Sequence, residues 1–197
     1  MVKQRIIEEA SELFGRSGVK SITMDDLARH LGISKRTIYE NFKGKENLLI
    51  ACIDALHEEH EKKKKKIFLD ADNVVDAILM LLQKNEQWHF NMMNDVKKYY
   101  PQVYKEHLSR FHIDKCKNME QWVQRGIKEG MFRDDLNSEI IAHFFCRQGE
   151  NVVIDKDLSR FPISDIIENI AITFLRGICT AKGIEIIEKY QKRKHTN

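Results

Sequence analysis

Between Gly32 and Asn41 the chain places Ser34, Lys35, Arg36, Thr37, Tyr39 and Asn41 within eight consecutive positions. Two hydroxyls, two cations, a phenol and an amide share one short segment. Their common chemistry is hydrogen bonding to anions and to polar edges. If Ser34 opens a helix, its first turn carries the positive end of the helix dipole, which favours an anion such as phosphate. Arg36 adds a planar fork of donors that fits a phosphate or the edge of guanine. On these residues alone a second reading stays open: the cations are ordinary solvated charges, and Tyr39 is half-buried core.

The surrounding elements decide what such a segment can do. Ile6, Ile7, Ala10, Leu13 and Phe14 recur at helical spacing, and Gly18 is expected to stop that helix. Thr23 and Asp26 have the spacing of a capping box for a short helix over 24–31. Gly32 breaks it and Ser34 can cap the next, which Lys43-Gly44 ends. Two short helices across a glycine turn, with Ala28 at their crossing and Leu27, Leu31, Ile33 and Ile38 as apolar contacts, fit a helix-turn-helix. Ile38 and Phe42 are expected in the core. A long helix should begin near Lys45 and run into His57-Glu58-Glu59-His60-Glu61 and the lysines after it. There Glu58–Lys62, Glu59–Lys63 and Glu61–Lys65 are i,i+4 pairs on a solvated face.

Beyond Asp70–Asn73 the apolar spacing predicts further helices over about 74–94, 101–129 and 138–154, then one over about 163–181, ended by Gly183, and a short final helix. Tyr100-Pro101 and Gly130 mark boundaries, and Asn137 can cap. No strand pattern and no internal repeat is present.

The chain has 197 residues, 42% hydrophobic and 32% charged, with only nine Gly and two Pro, a balance that suits a mostly helical globular protein. A net charge of +3 does not by itself imply nucleic acid, so any DNA-binding charge must be local. Cys52, Cys116, Cys146 and Cys179 form no C-x-x-C pair and read as reduced, mostly buried side chains. The charged amphipathic start is unlike a signal peptide, and no apolar stretch suffices to span a bilayer. Cytoplasmic location and no membrane partner are the expectation.

Residues 3–50 resemble the DNA-binding domain of the tetracycline-repressor (TetR) family of bacterial transcription regulators. The resemblance rests on Ala10, Leu13, Phe14, Gly18, Ile22-Thr23, Leu27-Ala28 and Leu31-Gly32-Ile33-Ser34. It continues through Thr37-Ile38-Tyr39, Asn41-Phe42, Lys45-Glu46 and Leu48-Leu49. It covers about a quarter of the chain. The rest is similar only in architecture, with Phe174-Leu175-Arg176-Gly177 onward like the end of the family's penultimate helix. The family often has a small residue where Arg36 stands and histidine where Asn41 stands, departures that bear on which operator is read.

The resemblance implies an all-α fold. An N-terminal three-helix helix-turn-helix DNA-binding domain, residues 1–46, precedes a larger helical effector-binding and dimerisation domain, residues 47–197. The second short helix would lie in the major groove. Arg36 is the candidate for a base edge. Lys35 and Tyr39 suit phosphate, Ser34 and Thr37 stand at the helix start, and Asn41 is a further phosphate candidate. Thr23 would contact another phosphate while capping its helix, and Lys45 would bring charge to the next helix N-terminus. Phosphate contacts position a protein and base contacts specify the sequence.

A homodimer on a palindromic operator is implied, since dimers read two half-sites about 34–36 Å apart. The helices over 138–154 and 163–181 are the expected dimer surface, with Val152, Ile167, Ile170, Phe174 and Ile178 as candidates. An unidentified, largely apolar small-molecule effector would bind among Trp88, His89, Met92, Met93, Tyr99, Phe111, Trp122 and Phe145, and would release the protein from DNA. The same side chains read equally as plain core. No cofactor, metal or catalytic residue is expected. Two rivals remain: a helical-bundle metal enzyme, for which Glu86–His89 is one E-x-x-H without the second that a di-iron site needs, and a helical protein-interaction module.

Overall fold

The computed structural model describes the backbone of residues 2–83, 87–154 and 158–196, and their side chains apart from 87–91, 107–114, 149–154, 159, 163 and 194–196. Among the described residues all regular structure is helical, and one antiparallel bridge joins Phe132 to Cys179.

Local signals start and stop the N-terminal helices. Helix α1, Val2–Ser17, ends where Gly18 adopts a positive φ of 83°. Helix α2, Met24–Leu31, has the expected capping box, with Thr23 and Asp26 each accepting from the other's backbone N–H. Gly32 closes α2 at φ 64°, a left-handed conformation that glycine adopts without strain. Ser34 caps α3, Lys35–Asn41. Helix α4, Lys45–Asp70, carries the Glu58–Lys62 ion pair at 2.7 Å.

Helices α5, Val74–Gln83, and α6, Gln87–Tyr99, occupy the span expected for one helix over 74–94, and α6 runs five residues further. It stops where Tyr100 precedes Pro101, which opens α7, Pro101–Lys128. Gly130 follows at φ 67°. In α8, Ser138–Ile154, the Ile140 N–H donates to the Asn137 side chain as the capping reading requires.

The segment after Pro162 departs from expectation. It comprises α9, Ile163–Ile166, a π-helical stretch Ile167–Ile172 and α10, Thr173–Ile178. Gly183 does not end this run. The chain turns extended at Cys179, and α11, Ala181–Thr196, begins two residues later. Gly183 lies inside α11 because a Cβ there would stand 2.6 Å from the Met131 carbonyl oxygen. Close packing, not helix termination, explains the glycine.

Packing divides the chain into two units, Met1–Lys62 with Glu86–Arg110, and Lys63–Asn85 with Phe111–Asn197. In the first, Ile6, Ala10, Phe14, Leu27, Ile38, Phe42, Leu48 and Leu49 form a dry core, and α6 packs on α1. The Asp95 carboxylate accepts from Val19 N–H at 2.8 Å, filling the turn that Gly18 makes. In the second, Val74, Val75, Leu79, Trp122, Phe132, Ile172, Leu175 and Ile187 share one cluster. Arg125 donates to the Phe68 and Ala71 carbonyls at the end of α4, and pairs with Glu129, which accepts from Val74 N–H at 2.7 Å. One charged pair thus closes one helix and opens the next. All four cysteines are free and buried. Among the described residues no helix is long and apolar enough to cross a membrane.

Candidate nucleic-acid interface

Helix α3 is short, and what orients it is burial of one side. Ile38 is fully buried and Phe42, at its end, nearly so. Burial of such side chains contributes about 1.5–3 kcal/mol each, enough to hold the opposite side of a two-turn helix outward. That outer side carries Lys35, Arg36 and Tyr39, all exposed.

The side chains differ in what occupies them. Arg36 is 88% exposed and pairs with Glu40, at 2.9 Å and one turn away. Lys35 reaches back to Asp25 in the first turn of α2 at 2.6 Å, and this hydrogen bond raises its pKa above the ordinary value. Tyr39 is 45% exposed. The Ser34 hydroxyl accepts from Thr37 N–H at 3.0 Å and lies 2.8 Å from the Thr37 hydroxyl. Both therefore cap α3 and stand at its positive end. Asn41 donates to the Thr37 carbonyl at 2.8 Å, so its amide nitrogen is engaged within the helix.

Thr23 performs the same service for α2. Its hydroxyl donates to Asp26 at 2.6 Å and accepts from Asp26 N–H at 3.1 Å. The Thr23 hydrogen bonds hold the Asp26 carboxyl below its ordinary pKa. Lys45, at the start of α4, is half-buried, with Nζ 5.8 Å from the Phe14 ring centroid. Burial lowers its pKa, against the attraction of Asp26 and Asp95. Three helix N-termini, those of α2, α3 and α4, thus each carry a hydroxyl or an ammonium group.

Two scaffold contacts escaped the sequence reading. Arg5 donates to the Leu31 carbonyl at 3.2 Å, and His30 lies 2.9 Å from Glu9. Together they tie both ends of the α1–α2 crossing. The signal that would have found them is a cation and a carboxylate on the outward faces of α1 and α2, visible only once the crossing is known.

The expected effector and dimer residues fall in different surroundings. Met92 is fully buried in the first unit, Met93 is half-buried and Tyr99 is exposed. Trp122 is buried in the second unit and Phe145 is half-buried. The side chains of Trp88, His89, Phe111 and Val152 lie outside the described residues. The Glu86–His89 motif does too, and among the described residues no three His, Cys, Asp or Glu side chains converge. The second unit also holds a groove of about 920 Å³ between α5, the π-helical stretch and α11. Leu79, Leu82, Ile167 and Ile186 supply its apolar wall, and Asp72, Asp76, Lys189 and Arg193 line it as well. Of the residues named for an effector none lines it.

Ile178 is buried in its own unit and Ile167 is half-buried, whereas Ile170 is 39% exposed. Phe174 stacks on Phe144 at 5.3 Å and meets Phe145 edge-on at 5.1 Å. Phe144 and Ile140 on α8 are 46% and 65% exposed, and neither was singled out from sequence.

Residues 6–52 match the family described as bacterial regulatory proteins, tetR family. An uncharacterized HTH-type transcriptional regulator of Bacillus subtilis (strain 168), YvaF, is 31% identical over 102 residues, 49% of this chain and 53% of that protein. The HTH-type transcriptional regulator TtgR of Pseudomonas putida is 37% identical over 59 residues, 30% of this chain and 28% of that one. The matched region therefore spans about half of the first relative and about a quarter of the second. Among solved structures, a transcriptional regulator from Cytophaga hutchinsonii ATCC 33406 superposes with TM-score 0.75 at 19% identity, covering 90% of this chain and 98% of that one. A TetR-family regulator from Agrobacterium tumefaciens gives 0.72 at 14% identity, covering 90% and 97%. These relatives are transcriptional regulators, not enzymes.

Proposed function

We propose, from the premise that the chain belongs to the tetR family of bacterial regulatory proteins, that it is a sequence-specific DNA-binding transcriptional regulator. The observation that carries this reading is α3 itself: Ile38 is buried behind it while Arg36 and Tyr39 stand exposed in front. Arg36 reads a base edge, Tyr39 and Lys35 hold phosphate, and the capped starts of α2 and α4 bring Thr23 and Lys45 to the backbone. Ser34 and Thr37 keep the first turn of α3 in register while facing the same strand, with Asn41 at its far end.

The reading extends to a homodimeric repressor on a palindromic operator, with residues 1–46 as the DNA-binding part. The exposed apolar run of Ile140, Phe144 and Ile170 supports a dimer surface, because side chains of that size gain from a second copy what water denies them. The groove beside α11 supports release by a small molecule, since its volume lies in the usual range for ligand sites of about 300–1,000 Å³. A π-helical stretch on its wall is a further mark of such sites. To release DNA the ligand must bind the non-binding state more tightly than the DNA-bound one. This groove, rather than the cluster of middle-helix aromatics, is where we place it.

The test is enrichment from a pool of random duplexes, with an Arg36→Ala, Tyr39→Ala double variant alongside. The reading expects a palindrome enriched by the native protein, weakened steeply by salt and lost in the variant. Identical enrichment by both proteins, or a protein partner bound independently of salt with no duplex bound, would overturn it.

A further inference from the structure

Three lysines outside the helix-turn-helix gather on two tyrosines in the first unit. Lys20 follows the α1 turn, and Lys97, Lys98 and Tyr99 end α6. The ammonium groups of Lys20 and Lys98 each lie 5.0 Å from the centroid of the Tyr99 ring. Lys97 lies 6.0 Å from that of Tyr104. Among the described residues none of the three forms an ion pair. Tyr99 is 36% exposed although it is a large aromatic, so the ring acts as a platform on the surface that holds two cations in place. Cations fixed on a ring lose less freedom when they bind an anion than cations on free stems do.

The position of this patch is set by its neighbours. Lys20 precedes the Thr23 cap of α2 by three residues. Asp95, one turn before Lys98 and Tyr99 on α6, binds Val19 N–H and is felt electrostatically by Lys45 at the start of α4. Glu46, the next residue of α4, is likewise felt by Tyr100. The end of α6 therefore stands beside the N-termini of α2 and α4, the two that flank α3 in the chain. Asp95 is the carboxylate that acts on Lys98 here, and its oxygen is already taken by the backbone.

We infer that Lys20, Lys97 and Lys98, braced on Tyr99 and Tyr104, form a second phosphate-binding surface that engages duplex DNA outside the segment read by α3. It adds affinity and salt dependence without adding sequence preference. The inference rests on the DNA-binding reading above and concerns residues that the helix-turn-helix pattern does not include.

The experiment uses the full chain and the duplex it enriches. A Lys20→Gln, Lys98→Gln variant removes two charges, and Lys20→Arg, Lys98→Arg keeps them. Each phosphate contact contributes roughly 0.9 to the slope of log affinity against log salt. The Gln variant should therefore show a slope about 1.8 smaller in magnitude. Between about 50 and 200 mM salt the native affinity should fall about twelvefold more than that of the variant. The enriched sequence should be the same, and the Arg variant should keep the native slope. Trimming the duplex outside the half-sites should weaken the native protein and leave the Gln variant nearly unaffected. An unchanged slope in the Gln variant, while native protein binds, overturns this inference alone. A native protein that enriches no duplex overturns the reading beneath it. An Arg variant with the slope of the Gln variant would assign the effect to lost packing and also overturn it.

Discussion

Replacing Arg36 with alanine isolates the step from structure to sequence recognition. The guanidinium is 88% exposed and its partner is Glu40, an i,i+4 neighbour with the cation N-terminal to the anion. Exposed helical pairs contribute about 0.3–0.5 kcal/mol, and this orientation is the weaker one. Turning Arg36 from Glu40 to a guanine thus costs at most about 0.5 kcal/mol, whereas a bidentate contact to guanine discriminates by about 1–3 kcal/mol. The difference, about 0.5–2.7 kcal/mol, is a loss of roughly 2- to 100-fold in affinity for the preferred duplex. Folding should hardly respond, because surface substitutions of this kind stay within about 0.5 kcal/mol. The assay is duplex binding by fluorescence anisotropy with the preferred base pair and its three alternatives at each position of the half-site. One position should lose its preference while the others keep theirs. Equal weakening on all duplexes would show that Arg36 holds phosphate. No change on any would remove α3 from the recognition role.

Other consequences can be checked separately. Phe144→Asp with Ile170→Glu should convert a dimer into a folded monomer by sedimentation, since both side chains are exposed in one chain; a dimer that persists would place the interface elsewhere. Thr23→Ala should lower stability by about 0.5–2 kcal/mol through the lost cap. Because the Asp26 pKa is depressed in the folded state, its contribution is present above the unfolded carboxylate value and fades as pH falls through the folded one. Thermal midpoints of native and Thr23→Ala protein should therefore converge in acid, and parallel curves would refute the link. Gly126→Ala should destabilise by about 1–3 kcal/mol, because the new Cβ would stand 2.7 Å from Cγ of buried Phe132; chemical denaturation measures it, and a neutral result would mean the ring can move. Burial pushes the Cys52 thiol up to about 12. Native Cys52 should resist a thiol reagent that labels it rapidly in denaturant, and peptide mapping after fast native labelling at Cys52 would contradict its burial.

The short-range features were legible in the sequence alone. The Thr23–Asp26 box, the Gly32 stop, the Ser34 cap and the Asn137 cap each rest on residues a few positions apart, so their geometry follows from local backbone chemistry. The split of α3 into buried Ile38 and exposed Arg36 and Tyr39 follows from helical period. Tertiary structure decided what depends on distant partners. Gly183 reads as a stop until the Met131 carbonyl, from far earlier in the chain, is seen against it. Lys35 reads as a free cation until α2 brings Asp25 to it. Lys20 and Lys98 are ordinary lysines in sequence and meet only because Asp95 anchors α6 to the turn after α1. Likewise Trp122 and Phe144 are both aromatic residues on helices, yet one is buried and the other exposed. Periodicity says that a helix has an apolar side; which neighbour covers it is set by the packing of elements far apart in the chain.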